Sequence, residues 1–194
     1  MRQIPLEPLT SAAFSPFGSV IAIPTSRVQA SSANQSTATK YSPISPLTTT
    51  YPSKNEPLMS LFHCHPRKLT PSATFQLQIL ERHPHTTQSF IPMGLAASDI
   101  STAYIVIVAP YDPVFDKPDV SRVRAFLARG DQGVTYNVGA WHSPMVVVGE
   151  SSVLFSVIQW VNGVAKDDCT ECEVLDEEVS VQIPPSLRGK NAKL

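Results

Sequence analysis

Charge and long apolar runs are both scarce in this sequence. Charged residues make up 16% of its 194 residues and the formal net charge is -1, so it has no basic surface for nucleic acid. No apolar run reaches the ~18 residues that a membrane-spanning helix requires. The N-terminal MRQIPLEPLT lacks the apolar core of a secretory signal. These absences predict a protein without nucleic-acid or membrane partners.

Cysteine and glycine are scarce as well. Three cysteines cannot all pair within one chain, and only Cys169 and Cys172 have a C-x-x-C spacing. Without a second pair or neighbouring histidines that spacing is a weak zinc signal, so reduced cysteines are the simpler interpretation. Eighteen prolines against eight glycines disfavour long helices, because a proline inside a helix costs about 3 kcal/mol.

Short strand-like segments follow one another from Leu58 onward. They are LMSLFHCHP, TFQLQILERHP, STAYIVIVAP, VTYNV, MVVVGE and SSVLFSVIQWV. The continuous apolar run at residues 104–108 is typical of a strand covered on both faces. We interpret GDQG, GAWHSP and GESS as hairpin turns, and KPDVSRVRAF as a helical turn that passes into a strand. The pattern predicts an all-β fold with few short helices, a β-barrel or double-sheet sandwich forming one domain over residues 1–194.

Two segments differ in composition from this domain. Residues 27–57 are rich in Ser, Thr, Asn and Pro and poor in large apolar side chains, which predicts a partly mobile surface insertion. The polar RGKN near the end predicts a mobile tail. The final Ala192-Lys193-Leu194 is close to the S-K-L peroxisomal address, so we expect import by the peroxisomal receptor rather than cytoplasmic residence.

The stretch LERHPHTTQSFIPMG, residues 80–94, has two histidines around a proline and a glutamine soon after. Because side chains alternate along a strand, one face of residues 75–83 would carry Phe75, Leu77, Ile79, Glu81 and His83. The apolar start of that face predicts that it turns inward, with Glu81 and His83 at the mouth of the barrel. His85 shares the face only if the strand stays straight through Pro84, and Gln88 needs a bend to join it.

A second polar group lies in VTYNVGAWHSPM, where Tyr136, Trp141 and His142 surround a glycine-containing turn. A histidine after such a turn can point into a barrel, and a structural, hydrogen-bonded histidine is the alternative. His63 and His65 are another candidate ligand pair, although H-x-H is common by chance. Alternation places Cys64 opposite both histidines, so it lacks a base for nucleophilic chemistry.

The motifs ERHPHTTQSFIPMG, VRAF and GDQGVTYNVGAWHSPM together resemble the ureidoglycolate lyases, enzymes of allantoin and purine breakdown. PLTSAAFSPFGSVIA, KPDVSRVRAF and the KDDC that begins at Lys166 extend the resemblance over most of residues 6–172, with residues 27–57 outside it. It implies a cupin-like β-barrel, commonly a homodimer, that releases urea and glyoxylate from ureidoglycolate. His83 and Gln88 match the family's pattern. His85 is not part of that pattern, and His63 stands where the family usually has arginine.

Ureidoglycolate is a carbinolamine, and its collapse needs a base for the hydroxyl proton and an acid for the departing nitrogen. Histidine titrates near neutrality and can serve as either. The predicted catalytic residues are His83, His142, Gln88 and Glu81, with Gln88 suited to hold the urea amide. The predicted substrate contacts are Arg82, Arg124, Tyr136, Trp141 and His63, and Arg67 is a further candidate for binding the substrate carboxylate.

The sequence does not decide whether a metal cofactor binds, and it leaves two alternatives to the lyase function. Metal-free or loosely metal-assisted chemistry is favoured, because histidines and a neutral glutamine give a hard cation little charge. If a divalent cation binds, its predicted ligands are His83, His85, Gln88 and His142. The competing functions are a non-catalytic small-molecule-binding module and a metal-dependent cupin enzyme with a different substrate. The acid/base set favours the lyase.

Overall fold

The computed structural model describes residues 2–25, 30–52, 56–99, 104–175 and 179–187. Among them are two single-turn helices, α1 (Ser11–Phe14) and α2 (Ala165–Asp168), and two 3-10 turns, Val120–Arg122 and Pro185–Leu187. None of these helices is long and apolar enough to cross a membrane. Asp119 caps the first 3-10 turn through its side chain and strand β13 (Arg124–Ala128) follows, which confirms the predicted turn and strand in KPDVSRVRAF.

Strands make up most of the rest, so the all-β prediction is confirmed; the cupin assignment stays a prediction. Before β13 the strands are β1 (Arg2–Ile4), β2 (Leu6–Pro8), β3 (Gly18–Ile21), β4 (Ala30–Ala33), β5 (Ala38–Tyr41), β6 (Leu58–Cys64), β7 (Thr74–Gln76), β8 (Ile79–Arg82), β9 (Gln88–Met93), β10 (Tyr104–Ala109), β11 (Tyr111–Asp112) and β12 (Lys117–Pro118). After β13 they are β14 (Gly133–Tyr136), β15 (Trp141–His142), β16 (Val146–Val147), β17 (Val153–Gln159), β18 (Thr170–Glu173) and β19 (Val179–Gln182).

Three sheets lie in layers. One has the order β3-β14-β9-β17-β6, and we call it the front sheet. The middle sheet has the order β18-β8-β15-β10-β13-β2, with β16 also paired to β10, and the back sheet has the order β1-β19-β7. Successive side chains of β10 point alternately into the two cores on either side of the middle sheet. Tyr104, Val106 and Val108 lie in the core shared with the front sheet, while Ile105 and Ile107 lie in the core shared with the back sheet.

The front core is rich in aromatic side chains. Phe14 meets Phe126 edge-on with ring centroids 5.7 Å apart, and Phe90 meets Phe155 at 5.8 Å. Edge-to-face contacts of this kind add about 0.5–1.5 kcal/mol beyond the burial of apolar area. These rings fill the core between the front and middle sheets, and the candidate site lies between the same two sheets.

Two sequence predictions about connectivity were wrong. Residues 75–83 do not form one strand, because β7 belongs to the back sheet and β8 to the middle sheet. Phe75 and Leu77 therefore lie in the back core, on the other side of the middle sheet from Glu81. The turns GDQG and GESS connect strands of different sheets rather than hairpin partners. GAWHSP is not one turn, because its Trp141 and His142 form strand β15 of the middle sheet. Turn residues predict a change of direction but not the sheet in which the next strand pairs.

The predicted insertion is only partly inside the described residues. Strands β4 and β5 form a hairpin with no buried residue, and the chain then runs back across the domain. Backbone hydrogen bonds join Thr50 N to His85 O at 2.7 Å and Thr87 N to Thr48 O at 3.0 Å. This part of the insertion is therefore paired with the segment that follows β8.

Candidate active site

Glu81 and His142 lie opposite each other on the paired strands β8 and β15, with both side chains on the face of the middle sheet that looks toward the front sheet. Glu81 Oε1 is 3.5 Å from His142 Nε2. His83 follows the end of β8, and its ring centroid is 5.5 Å from that of His142. One ligand atom from each of these three residues lies within 4.8 Å of the others. We call Glu81, His83 and His142 the central cluster.

Backbone carbonyls orient both imidazoles. His83 Nδ1 lies 2.6 Å from the Asp168 carbonyl oxygen, and His142 Nδ1 lies 2.8 Å from that of Ala140. A carbonyl only accepts, so each Nδ1 carries the proton and each neutral ring presents a lone pair at Nε2. Burial lowers the pKa of His83 and lowers that of His142 to about 3. Both rings are therefore neutral near pH 7.

Glu81 has the opposite shift. Burial, together with repulsion from the Glu171 carboxylate across the β8–β18 pair, raises the pKa of Glu81 to about 7. The Cys169 thiol, 3.9 Å from Glu81 Oε2, works against this shift. A carboxyl with this pKa retains a proton on a large fraction of molecules at neutral pH, as a general acid requires.

Gln88 approaches the cluster from the front sheet. Its Nε2 donates to Gln159 Oε1 on β17, directly opposite in the sheet, and its Oε1 lies 3.2 Å from His142 Nε2. His142 Nε2 therefore faces two oxygens, one from Gln88 and one from Glu81. All three atoms are acceptors when the histidine is neutral. His142 Nε2 can therefore accept a hydrogen bond from a protonated Glu81, or bind a cation, but it cannot donate to Gln88 Oε1.

Two buried groups in the described part of the site have no hydrogen-bond partner. They are His83 Nε2 and the Tyr136 hydroxyl. Tyr136 stacks on His142, with ring centroids 3.8 Å apart and an interplanar angle of 12°. Buried polar atoms are almost always paired in folded proteins. Unpaired atoms beside a cluster of this kind are suited to contact a bound molecule.

Comparison with known proteins gives the relationship. The model of the family described as ureidoglycolate lyase matches residues 1–182. The chain belongs to the ureidoglycolate lyase family. A Schizosaccharomyces pombe protein named ureidoglycolate lyase is 41% identical over 177 residues, covering 87% of this chain and 90% of its own. A Saccharomyces cerevisiae protein of the same name is 35% identical over 200 residues, covering 94% of this chain and 100% of its own. A third, from Burkholderia mallei, is 36% identical over 152 residues, covering 78% of this chain and 79% of its own.

The site residues predicted from the sequence divide into two groups. Glu81, His83, Gln88, Tyr136 and His142 come together between the front and middle sheets. Trp141 lies on the other face of β15, in the back core, because neighbouring residues of a strand point to opposite faces. Arg82 follows the same rule on β8: its guanidinium lies 4.8 Å from the Trp141 ring and 3.0 Å from Asp116 Oδ1.

The other predicted basic residues also have partners away from the central cluster. Arg124 makes two hydrogen bonds to the Glu7 carboxylate, at 2.6 and 3.0 Å, and one to the Ala13 carbonyl. Arg67 stacks over Phe75 in the back layer. His63 lies on the exposed strand β6 and packs against His65, just after that strand, with ring centroids 4.7 Å apart. None of these predicted basic residues joins the cluster in the described structure.

His85 also lies apart from the cluster. Its Nδ1 is 3.0 Å from Thr50 Oγ1 and its ring lies 5.1 Å from that of Tyr51. We expected His85 among the cation ligands, with His83 and His142. In the structure Glu81, and not His85, lies beside these two histidines. The parity argument could not decide this, because β8 ends at Arg82 and the chain turns before His85.

Sequence reasoning missed Gln159, Tyr51 and Asp168. Gln159 is at the end of an apolar strand, and only its cross-strand pairing with Gln88 places it at the site. Tyr51 is in the segment 27–57, which we expected to lie outside the family resemblance; the family model includes it, so that expectation was wrong. Asp168 carried a signal, since it belongs to the KDDC motif that matches the family, but that motif has no separate chemical meaning in the sequence.

Proposed function

We propose that the protein is a ureidoglycolate lyase, which cleaves ureidoglycolate to glyoxylate and urea in allantoin breakdown. Family membership supports the reaction. The single structural observation that supports it most is the convergence of Glu81, His83 and His142 in one buried cluster. A base, an acid and an amide holder are the groups that the collapse of a carbinolamine requires.

His83 is suited to be the base. Its Nδ1–H is donated to the Asp168 carbonyl, so its lone pair is at Nε2, which is buried and has no partner among the described residues. The substrate hydroxyl gives its proton to this nitrogen, and the oxygen becomes the carbonyl oxygen of glyoxylate as the carbon–nitrogen bond breaks. The lowered pKa of His83 keeps the ring ready to accept at neutral pH.

Glu81 is suited to be the acid. The electrons of the breaking bond go to the ureido nitrogen, which takes the proton of the neutral Glu81 carboxyl to become urea. His142 is a poor acid here, because burial lowers its pKa to about 3, and its Nε2 lone pair instead faces the Glu81 carboxyl at 3.5 Å. The second Nε2 hydrogen of Gln88 can donate to the urea oxygen, while Tyr136 donates to a substrate oxygen.

A divalent cation is the alternative partner of the same atoms. Glu81, His83 and His142 would hold it, because both Nε2 lone pairs and the carboxylate converge and each Nδ1–H is already held by a carbonyl, as is usual for metal-bound histidines. The cation would polarise the substrate hydroxyl and bind its carboxylate. Glu81 would then be an ionised ligand rather than the acid, so metal analysis of active protein separates the two arrangements.

The test is incubation of the purified protein with racemic ureidoglycolate, following glyoxylate and urea together. We expect equal amounts of both products and at least a ~100-fold loss of kcat in His83→Ala. His65→Ala is the matched control, since His65 is an exposed histidine outside the cluster. Ammonia without urea would instead mean amide hydrolysis, binding without turnover a non-catalytic module, and stoichiometric iron without lyase activity a different cupin enzyme.

We also propose a homodimer, the state implied by the family resemblance. The edge strand β6 supports this, because it pairs only with β17 in the described structure and Leu58, Met59, Leu61 and Phe62 on it are 43–72% exposed. An exposed apolar edge strand is a ready partner for another strand or sheet face. The contact with a second copy would cover these side chains.

Peroxisomal import is a further proposal and rests on Ala192-Lys193-Leu194, which lies outside the described residues. A fluorescent protein fused before residue 1 tests it by microscopy. We expect punctate fluorescence that overlaps a peroxisomal marker in the full chain and diffuse fluorescence after deletion of Leu194. Diffuse fluorescence of both fusions would contradict import.

A further inference from the structure

The orientation of His83 depends on a backbone atom rather than on a side chain. The Asp168 carbonyl oxygen accepts from His83 Nδ1 at 2.6 Å, and this bond places the lone pair at Nε2. The carbonyl belongs to the last residue of the single-turn helix α2. A helix of one turn has few internal hydrogen bonds, so something else must hold the Asp168 peptide in position.

The Asp168 carboxylate supplies that anchorage. Its Oδ1 accepts from the Asn162 amide at 2.7 Å and its Oδ2 from the Gly163 amide at 2.9 Å, which ties both ends of residues 162–168 together. The Tyr51 hydroxyl donates to the same Oδ1 at 2.7 Å and lies 2.9 Å from the Asp167 carbonyl. Hydrogen bonds to a charged acceptor are about twice as strong as neutral ones.

Tyr51 reaches Asp168 from a short strap, residues 48–51, at the end of the insertion. The strap pairs with residues 85–87 through the two backbone bonds described above and an antiparallel bridge between Thr49 and Thr86. Tyr51 is 8% exposed, and burial and the Asp168 carboxylate raise its pKa. The hydroxyl therefore keeps its proton and acts as a donor at any physiological pH.

We propose that Tyr51 and Asp168 are positioning residues for the lyase reaction: they hold the Asp168 carbonyl at His83 Nδ1 and so fix the ring tautomer and its direction. The expected effect on kcat rests on the proposed function. The expected effect on the His83 tautomer rests on the contacts alone. The proposal assigns a role in the active site to the end of the polar segment 27–57, which carries none of the sequence motifs discussed above.

Tyr51→Phe removes one oxygen atom and keeps the ring. We expect kcat to fall by about 10-fold, as for other groups that orient a reacting histidine, with KM within about twofold of wild type because Gln88 and Tyr136 are untouched. Asp168→Asn is the second variant, since the amide nitrogen that replaces Oδ2 cannot accept from the Gly163 N–H. The matched controls are Tyr41→Phe, in the same insertion, and Asp167→Asn, and both are expected to retain wild-type kcat.

The decisive measurement is the tautomer of His83, read from its two ring ¹⁵N chemical shifts, with the signals assigned by their absence in His83→Gln. Wild type and both controls are expected to show the Nδ1–H form, and Tyr51→Phe and Asp168→Asn a mixture of both forms. Thermal unfolding of each variant shows how much protein is folded at the assay temperature.

An unchanged tautomer in both variants would overturn the proposal, as would a loss of kcat no larger than the loss of folded protein. A rise in KM with unchanged kcat would also overturn it, because it would place Tyr51 in binding instead. If wild type does not cleave ureidoglycolate, the proposed function fails by itself. The tautomer comparison still decides whether Tyr51 and Asp168 position His83.

Discussion

Glu81 is a residue whose ionisation links the stability of the domain to pH. Its pKa is raised from 4.5 to about 7 on folding, so the folded state binds its proton more tightly than the unfolded state. This contribution to stability is fully present below about pH 4.5 and is lost as the pH rises through about 7. In the absence of cations, ionised Glu81 therefore lowers the free energy of unfolding above neutrality.

Glu81→Gln cannot ionise, and we expect it to gain stability relative to wild type as the pH is raised from about 5 to about 8, by roughly 2–3 kcal/mol. Urea unfolding in the presence of a chelator measures this difference. Glu173→Gln, at an exposed position on β18, is the control and should show no such trend. A stability difference between Glu81→Gln and wild type that stays constant with pH would count against the raised pKa.

Two buried tyrosines are expected to respond to the same substitution in opposite ways. The Tyr136 hydroxyl has no hydrogen-bond partner among the described residues, whereas that of Tyr104 donates to the Gln132 carbonyl. Tyr136→Phe should keep or raise the free energy of unfolding by up to ~1 kcal/mol while kcat/KM falls at least ~10-fold. Tyr104→Phe should lose about 1 kcal/mol and keep its activity. If both substitutions changed kcat/KM equally, Tyr136 would not contact the substrate.

Local sequence patterns predicted the individual polar residues of the site better than their arrangement. Glu81, His83, Gln88, Tyr136 and His142 were all proposed from sequence and lie together in space. Gln159 and the carbonyl contacts of both histidines depend on pairing between strands far apart in the chain. No local pattern contains that information, because cross-strand neighbours are set by topology.

At the scale of elements, β3 and β14 approach each other closely at Gly18. A Cβ placed on Gly18 would lie 1.9 Å from the Thr135 carbonyl oxygen. Gly18→Ala is therefore expected to cost about 3 kcal/mol by forcing the two strands apart. Thermal unfolding measures the loss, and Ser19→Ala, next to it on β3, should stay within ~0.5 kcal/mol of wild type. A stable Gly18→Ala would mean that β3 pairs elsewhere.

Apolar periodicity located many strands, including β10 and β17, but not the breaks between them. Residues 75–83 read as one alternating strand, and Leu77 and Gln78 instead separate two strands in different sheets. Glu81 and His83 still face the site, because parity within β8 was correct even though the link to Phe75 was not. Alternation is a local property, and membership in a sheet depends on the whole chain.

At the scale of the whole molecule, the outer surface of β6 is the feature that predicts assembly. We expect Met59→Lys combined with Leu61→Lys to convert a dimer into a monomer, because two charges would be buried in the contact. Sedimentation velocity measures the change in mass. Val114→Lys is the control, since Val114 is 79% exposed in the turn between β11 and β12. A double variant that sediments as wild type does would place the interface elsewhere.

The two walls of the active site belong to different sheets, and the rings of Phe14, Phe90, Phe126 and Phe155 fill the space behind them. The sizes of these rings therefore set the distance between the two walls at the place where the substrate binds. A substitution such as Phe90→Leu would change the distance between the two walls. It would thereby alter which ureido compounds fit, although residue 90 contacts none of these compounds. Adaptation of this fold to larger or smaller substrates would then occur by substitutions in the aromatic core, while the polar residues that perform the chemistry stay the same.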